Sequence, residues 1–368
     1  MVAFSHMRNL FFVDYSELKS PNILVRGFYF LTNFGHEAVI YFFVLSGIVI
    51  GNVVFNARER DSWSWSDYIG SRLLRLWVVV IPAVGLTALL DAFGRAATDS
   101  IIYKTAAYGH VLPLEIPNND GLFVALGNIG FLQTIVVPTF GTNAPLWSLT
   151  NEFWYYLLFP LGVGLLDRNR MFWLKIINAL LLGFVGFFVG LKILCYFAIW
   201  LIGVAVLMCW RRMMYQRKVN GGAAMLVVGI LANIAVLVLA RLKILSEGFL
   251  TDSIIALVAA SLFLPLLRLA PRPSRGLLSL VLDQFSRMSF SVYAYHLPIA
   301  VFLVAVIGTN GLRRQPTWWD FIMFCAYAGV VLSICAIGFY LTERNTSALK
   351  RIFYPTQRIL VESTSSQS

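Results

Sequence analysis

Nine mostly apolar runs recur along the chain, at 38–55, 73–93, 146–166, 172–190, 193–210, 223–241, 253–270, 287–307 and 320–342. Each approaches the roughly 20 residues that a helix needs to cross the hydrocarbon core of a bilayer. In lipid every backbone N–H and C=O must find its partner within the segment or in a closed barrel. Apolar runs this long therefore predict helices, and the fold class is all-α: a polytopic integral membrane protein. Met1 to Val13 is a further apolar run, too short to span alone. Counted as a truncated first helix, it brings the total to about ten. Phe123–Val137 is also apolar, but Gly127, Asn128, Gly130 and Gln133 interrupt it, which predicts a re-entrant or interfacial piece.

The chain has 368 residues, 59% of them hydrophobic and 13% charged, with mean hydropathy +0.75. Soluble domains carry about 25% charged residues, so lipid must cover part of this surface. The net charge of +11 raises the question of nucleic acid. The basic residues, however, lie between the apolar runs, as they do in cytoplasmic loops, and no nucleic-acid partner is expected. Suppose the N-terminal run is a span that starts in the cytoplasm. Then Arg58, Arg60, Arg72 and Arg75 fall inside, as do Arg168 and Arg170, Arg211, Arg212, Arg217 and Lys218, Arg268, Arg272 and Arg275. So do Arg344, Lys350, Arg351 and Arg358. The expected location is a cytoplasmic membrane, with both termini inside. Without the first run the count is nine and the N-terminus lies outside.

Residues 1–355 read as one membrane domain and 356–368 as a cytoplasmic tail. The largest loop, at 94–145, carries His110, which is expected to be solvated. The start of the chain lacks the basic region and small-residue cleavage site of a secretory signal. Cys195, Cys209, Cys325 and Cys335 all lie in apolar runs without metal-ligand or CxxC spacing, and read as small buried hydrophobes.

Ionisable groups at the edges of the spans are the candidates for chemistry, because such positions are costly. His6 ends the first run. Imidazole can take and return a proton near neutral pH, although a lone interfacial histidine is more often structural. His36 and Glu37 open the second run. Arg72 and Arg75 share one helix face at i and i+3. Their guanidinium forks suit phosphate groups, or else flank the membrane as ordinary loop cations. Ser148 and Glu152 share a face at i and i+4, and a carboxylate there must be paired or line a polar cavity. His296 stands two residues before Pro298, which frees a backbone carbonyl at Ala294 or nearby. His296 either bonds such a carbonyl or lines a cavity. Glu343 and Arg344 close the last span as a boundary pair. Asp14 and Glu17 follow the first run on the outer side. No HExxH, GxSxG, Walker or GxGxxG pattern stands in the right context.

Together these elements resemble the membrane acyltransferase 3 family of bacterial O-acyltransferases, which modify O-antigen, exopolysaccharide and related glycans. The resemblance rests on GHEAVIYFFVLSG (35–47), YxxxRxxR (68–75), WSLTNEFWYY (147–156), SFSVYAYHLP (289–298) and the Glu-Arg pair at 343–344, in the family's order over almost the whole chain. It implies an acyltransferase moving groups other than amino-acyl groups. The donor would be acetyl-CoA or another acyl-CoA, and the acceptor a hydroxyl of a carbohydrate or lipid-linked glycan; membrane lipids are the remaining partner. No permanently bound cofactor and no metal is implied. His6 becomes the catalytic histidine, with Glu152 as a second catalytic group, Arg72 and Arg75 as the donor-binding cations, and Ser148, His36, His296 and Glu343 as further site residues.

The sequence departs from the family in two places. The family's arginine, separated from the histidine by ten residues, would fall about six positions before Met1. The expectation is a first span cut short by a late start, a shortened chain or an inactive member. Ile40 stands where many members carry an acid, and the GHxAV form with His36 resembles a variant of that segment. Composition alone also fits a glycolipid or small-solute transporter or flippase. The RxxR and SLxxE elements separate the readings, since a transporter needs no CoA-sized basic face.

Overall fold

The computed structural model describes residues 1–98, 100–104, 108, 111–112, 119–168, 170–215, 222–242, 244–269, 276–307 and 313–353. His110, the basic residues 217, 218, 272, 275 and 358, and the tail at 356–368 lie outside the described residues. Among those described, the α-helices in chain order are α1 (Val2–Phe11), α2 (Ile23–Thr32), α3 (Gly35–Glu59), α4 (Trp65–Ala97), α5 (Leu122–Ile129), α6 (Trp147–Leu166), α7 (Phe172–Tyr215), α8 (Gly222–Arg241), α9 (Phe249–Leu269), α10 (Leu277–Val306), α11 (Trp318–Leu341) and α12 (Thr346–Phe353). Among the described residues extended pairing is confined to isolated bridges, Phe12 with Arg314 and Gln133 with Val137.

Each predicted run coincides with an α-helix: five lie wholly inside one, 146–166, 287–307 and 320–342 overrun theirs by one residue, and the last residue of 253–270 lies outside the described residues. Seven stretches of the described chain are long and apolar enough to cross a membrane: Ile23–Glu59, Trp65–Ala97, Phe172–Tyr215, Gly222–Arg241, Phe249–Leu269, Leu282–Val306 and Trp318–Ile352. Two features reconcile this number with the nine predicted runs. α7 has 44 residues, enough for two crossings of about 20 residues each, and consists of two helices that meet at a kink. It breaks at Gly190, whose φ of 78° is open to glycine and strained for other residues. The break divides α7 into the two predicted runs. α6 has span length, but its first two turns carry Ser148, Asn151 and Glu152, which dilute its apolar character. The short first run is α1. The interrupted segment at 123–137 is the short α5 followed by turns, as its glycines required. α2 and α12 were not anticipated.

The chain forms two compact units. The first comprises Met1–Gly35, Trp65–Thr150 and Leu277–Ser368; the second comprises His36–Ser64 and Asn151–Gly276.

In the first unit a helical stripe of α1 (Ala3, Met7, Leu10, Phe11) is buried with a stripe of α10 (Ala294, Leu297, Ala300, Val301, Val304). The rings of Phe12, Phe28, Phe321 and Phe324 pack edge-on or tilted at its end. Short as it is, α1 is tied at its C-terminal end. Val13 N–H donates to Arg314 O at 3.0 Å, and Arg314 N–H donates to Phe11 O at 2.9 Å. Tyr29 O–H donates to Val13 O at 2.8 Å. Arg8 lies over the Tyr29 ring and donates to Asn33 Oδ1 at 3.2 Å. These ties fix the register of α1 and so the height of His6.

In the second unit α3 and α7 cross backbone to backbone. A Cβ at Gly47 would overlap the Trp200 carbonyl, and one at Gly203 would overlap the Val44 carbonyl. Small residues permit such approaches between membrane helices. Ser46, beside Gly47, accepts from Trp200 Nε1 at 3.2 Å, while Phe43 and Val44 are fully buried. The FFVLSG element is thus a helix-crossing element. Asn233 of α8 donates to Gly229 O and to Val258 O of α9, and accepts from Tyr41 O–H of α3.

Candidate active site

His6 and His296 meet in the first unit. His6 Nδ1 lies 2.9 Å from His296 Nε2, with the rings stacked at 14° between planes. His296 is fully buried and His6 partly so. The protons follow from the partners. His296 Nδ1 sits 2.8 Å from Val292 O and 2.9 Å from Tyr293 O. Carbonyls only accept, so Nδ1 carries the hydrogen, and the Nε2 of neutral His296 is a bare acceptor. His6 must therefore donate from Nδ1. That leaves the lone pair on His6 Nε2, the arrangement a general base requires. His296 bonds carbonyls of its own preceding turn rather than the one that Pro298 frees.

Pro298 cannot donate to Ala294 O, four residues before it. Asn143 takes that place, with Nδ2 donating to Ala294 O at 2.9 Å and to Thr87 Oγ1 at 3.2 Å. The loop carrying Asn143 is anchored one residue earlier. Thr142 donates from its N–H and its hydroxyl to Asp91 at 2.8 and 2.7 Å. Asp91 is fully buried; an anchor of this kind is what a carboxylate needs to survive inside a span. Tyr103, after α4, lies in the field of Asp91. Burial first, then Asp91, raises its hydroxyl well above the usual tyrosine range, so it stays neutral. Ser148, at the start of α6, holds Tyr293 of α10 with 2.6 Å between hydroxyls, and Tyr293 O–H donates to Pro145 O at 3.0 Å. Ser148 thus acts on the turn that carries His296.

Arg72 and Arg75 lie in the first turns of α4. The Arg72 guanidinium stands 5.7 Å from the Tyr68 ring centre. Lys350 of α12 is near enough to both arginines to feel their charge, so three cations gather where the sequence pointed to two. Glu343 is not paired to Arg344. It accepts from Ser291 N–H at 3.0 Å and from its hydroxyl at 2.7 Å, within the field of Arg75. Arg344 lies over Tyr340.

The other two predicted site residues belong to the second unit. His36 Nε2 lies 2.8 Å from Asp252 Oδ1, and Tyr196 O–H donates to Asp252 Oδ2 at 2.6 Å. Half of the His36 side chain is exposed, against 5% for Asp252. Beside it Arg241 pairs with Glu37 at 2.7 Å. Glu152 is buried and accepts from Tyr156 O–H and from Ser46 O–H at 3.5 Å. Among the described residues no group of three or more His, Cys, Asp or Glu is placed to hold a metal ion.

A family model described as an acyltransferase domain, of the acyltransferase 3 type, matches residues 1–340. The chain belongs to the acyltransferase 3 family. It is a multi-pass membrane acyltransferase, transferring groups other than amino-acyl groups, and that membership takes the place of the transporter reading. No curated protein and no solved structure matches the chain.

Membership in this family gives the buried polar groups a chemical setting, and several of them escaped sequence reasoning. Asp91 had a visible signal, a carboxylate inside the run 73–93. Asp252, at the edge of the run 253–270, had a weaker one. Asn143, Thr87 and Thr142 had none: neutral polar residues in a loop or a helix become informative only when their partners, far away in sequence, are known.

Proposed function

We propose that this acyltransferase moves an acyl group, most simply acetyl, from acyl-CoA to a hydroxyl of a sugar in a cell-surface glycan or its lipid-linked precursor. The observation that carries the reading is the His6–His296 pair, which leaves one imidazole lone pair available. His6 Nε2 takes the proton of the acceptor hydroxyl as its oxygen attacks the thioester carbonyl. The new C–O bond forms, the C–S bond breaks, and the proton passes from His6 Nε2 to the departing thiolate. His296 keeps His6 in the reactive tautomer and, through its Nε2 lone pair, stabilises the imidazolium between the two transfers. Arg72 and Arg75, with Lys350 beside them, offer the cations that CoA phosphates require. Glu152 is retained as the second catalytic group on the family resemblance. The basic residues between the spans support a cytoplasmic membrane with both termini inside.

The test is transfer of labelled acetyl from acetyl-CoA in membranes, with His6→Ala and Glu152→Gln beside the wild type. Loss of about 10²-fold or more in His6→Ala is expected, the ordinary worth of a general base. Full retained transfer in His6→Ala would defeat the reading.

A further inference from the structure

The side chain of Asn143 is wholly buried, and its two ends are treated differently. Both hydrogens of Nδ2 are used, one on Ala294 O and one on Thr87 Oγ1. The orientation of the amide is not interchangeable. Ala294 O is a carbonyl, and the hydroxyl hydrogen of Thr87 is committed to Ala83 O at 2.7 Å, so both partners can only accept. Oδ1 is thereby forced to the other side, where it has no donor. Buried acceptors without a donor are uncommon, and each calls for an explanation. This one belongs to an amide clamped to the turn of α10 between Tyr293 and His296.

We infer that Asn143 Oδ1 is a substrate contact, the acceptor for an N–H or O–H donor of the molecules reacting at His6. Two substrates of the proposed reaction carry such groups: the amide N–H groups of the pantetheine arm of acyl-CoA, and the hydroxyls of the sugar acceptor. The inference rests on the reading of His6 and His296 as the reacting centre. The clamp also makes chemical sense. A contact held by the carbonyl that Pro298 frees is fixed to the same helix turn as His296, so substrate and base share one frame.

The experiment is steady-state kinetics of purified full-length protein with Asn143→Ala, Asn143→Asp and Thr87→Val, varying acetyl-CoA and acceptor in turn. Asn143→Ala is expected to raise the KM of one substrate about tenfold. If that substrate is acetyl-CoA, the penalty should vanish with S-ethyl thioacetate, a donor without amide N–H groups. If it is the acceptor, the penalty should persist with either donor. Asn143→Asp keeps an oxygen acceptor but loses the donation to Ala294 O, so its KM values should stay within about threefold of wild type while kcat falls. Thr87→Val leaves Oδ1 in place and should also spare both KM values.

A fall in kcat alone in Asn143→Ala, with both KM values unchanged, would overturn the inference and leave Asn143 as a tether. Equal KM increases in Asn143→Ala and Asn143→Asp would overturn it too. Should Asn143→Ala fail to fold, Asn143→Asp decides alone, with a tenfold KM increase counting against the contact. Retained transfer in His6→Ala would instead remove the reading beneath it, whatever Asn143 does.

Discussion

Two imidazoles bonded to each other have one open nitrogen between them, and in this chain it belongs to His6. Replacing His296 by alanine removes the acceptor of His6 Nδ1–H. It leaves His6 free to turn or to change tautomer, so transfer should fall well below wild type yet stay above His6→Ala. Equal loss in the two variants would mean that His296 does more than hold its neighbour. The sign of the pH dependence follows from the same geometry. A base must be unprotonated to start, so kcat/KM should fall on the acid side as the pair takes up a proton and level off as pH rises. His6 was legible because it is an ionisable group within an apolar run, and the family pattern singled it out. Its partner was not. His296 carried a visible signal, a histidine next to a proline inside a span, but 290 residues separate the pair. Pro298 marks in the sequence the carbonyl it frees, Ala294 O, but not the donor that replaces it. A histidine in the same helix was the local candidate, whereas an asparagine from a distant loop fills the gap.

Hydropathy alone delivered the helices, since lipid leaves the backbone few other options, and each of the nine predicted runs coincides with one to within a residue among the described residues. It separated the runs 172–190 and 193–210, but could not deliver the backbone geometry of the kink at Gly190 that joins them. Nor could it explain FFVLSG, which reads as an apolar signature until Gly47 and Gly203 are seen to let two backbones touch. That crossing makes a prediction at the scale of elements. Gly203→Leu should separate α3 from α7 and destabilise the second unit, with strain on the order of 1–3 kcal/mol or more, read as a lower melting temperature in detergent. Gly183→Leu, at a position of α7 where an added Cβ meets nothing, is the control and should melt near wild type. If the two variants melt together, the crossing is not what holds these helices.

A multi-pass chain with a net charge of +11 must put most of its cations outside the hydrocarbon, so a basic patch at a membrane edge is by itself unremarkable. What distinguishes the start of α4 is convergence. Arg72 and Arg75 share a face, and Lys350 arrives from the far end of the sequence on α12 to stand within their field. Bringing three positive groups together costs repulsion that scattered loop cations would avoid, and a polyanionic ligand such as the phosphates of CoA would offset it. The consequence concerns the donor and not the acceptor. Arg72→Ala with Arg75→Ala should raise KM for acetyl-CoA by about tenfold or more, the worth of a charge-assisted contact, while KM for the acceptor moves little. Lys350→Ala should act in the same direction with a smaller effect. Ionic strength supplies an independent check. Screening weakens exposed charge pairs over a Debye length of about 10 Å at 0.1 M salt. Wild-type KM for acetyl-CoA should therefore climb with salt, and the doubly substituted protein should show a flatter dependence. If donor and acceptor KM rise together, or if the salt dependence is the same in both proteins, these cations serve the membrane surface rather than the donor.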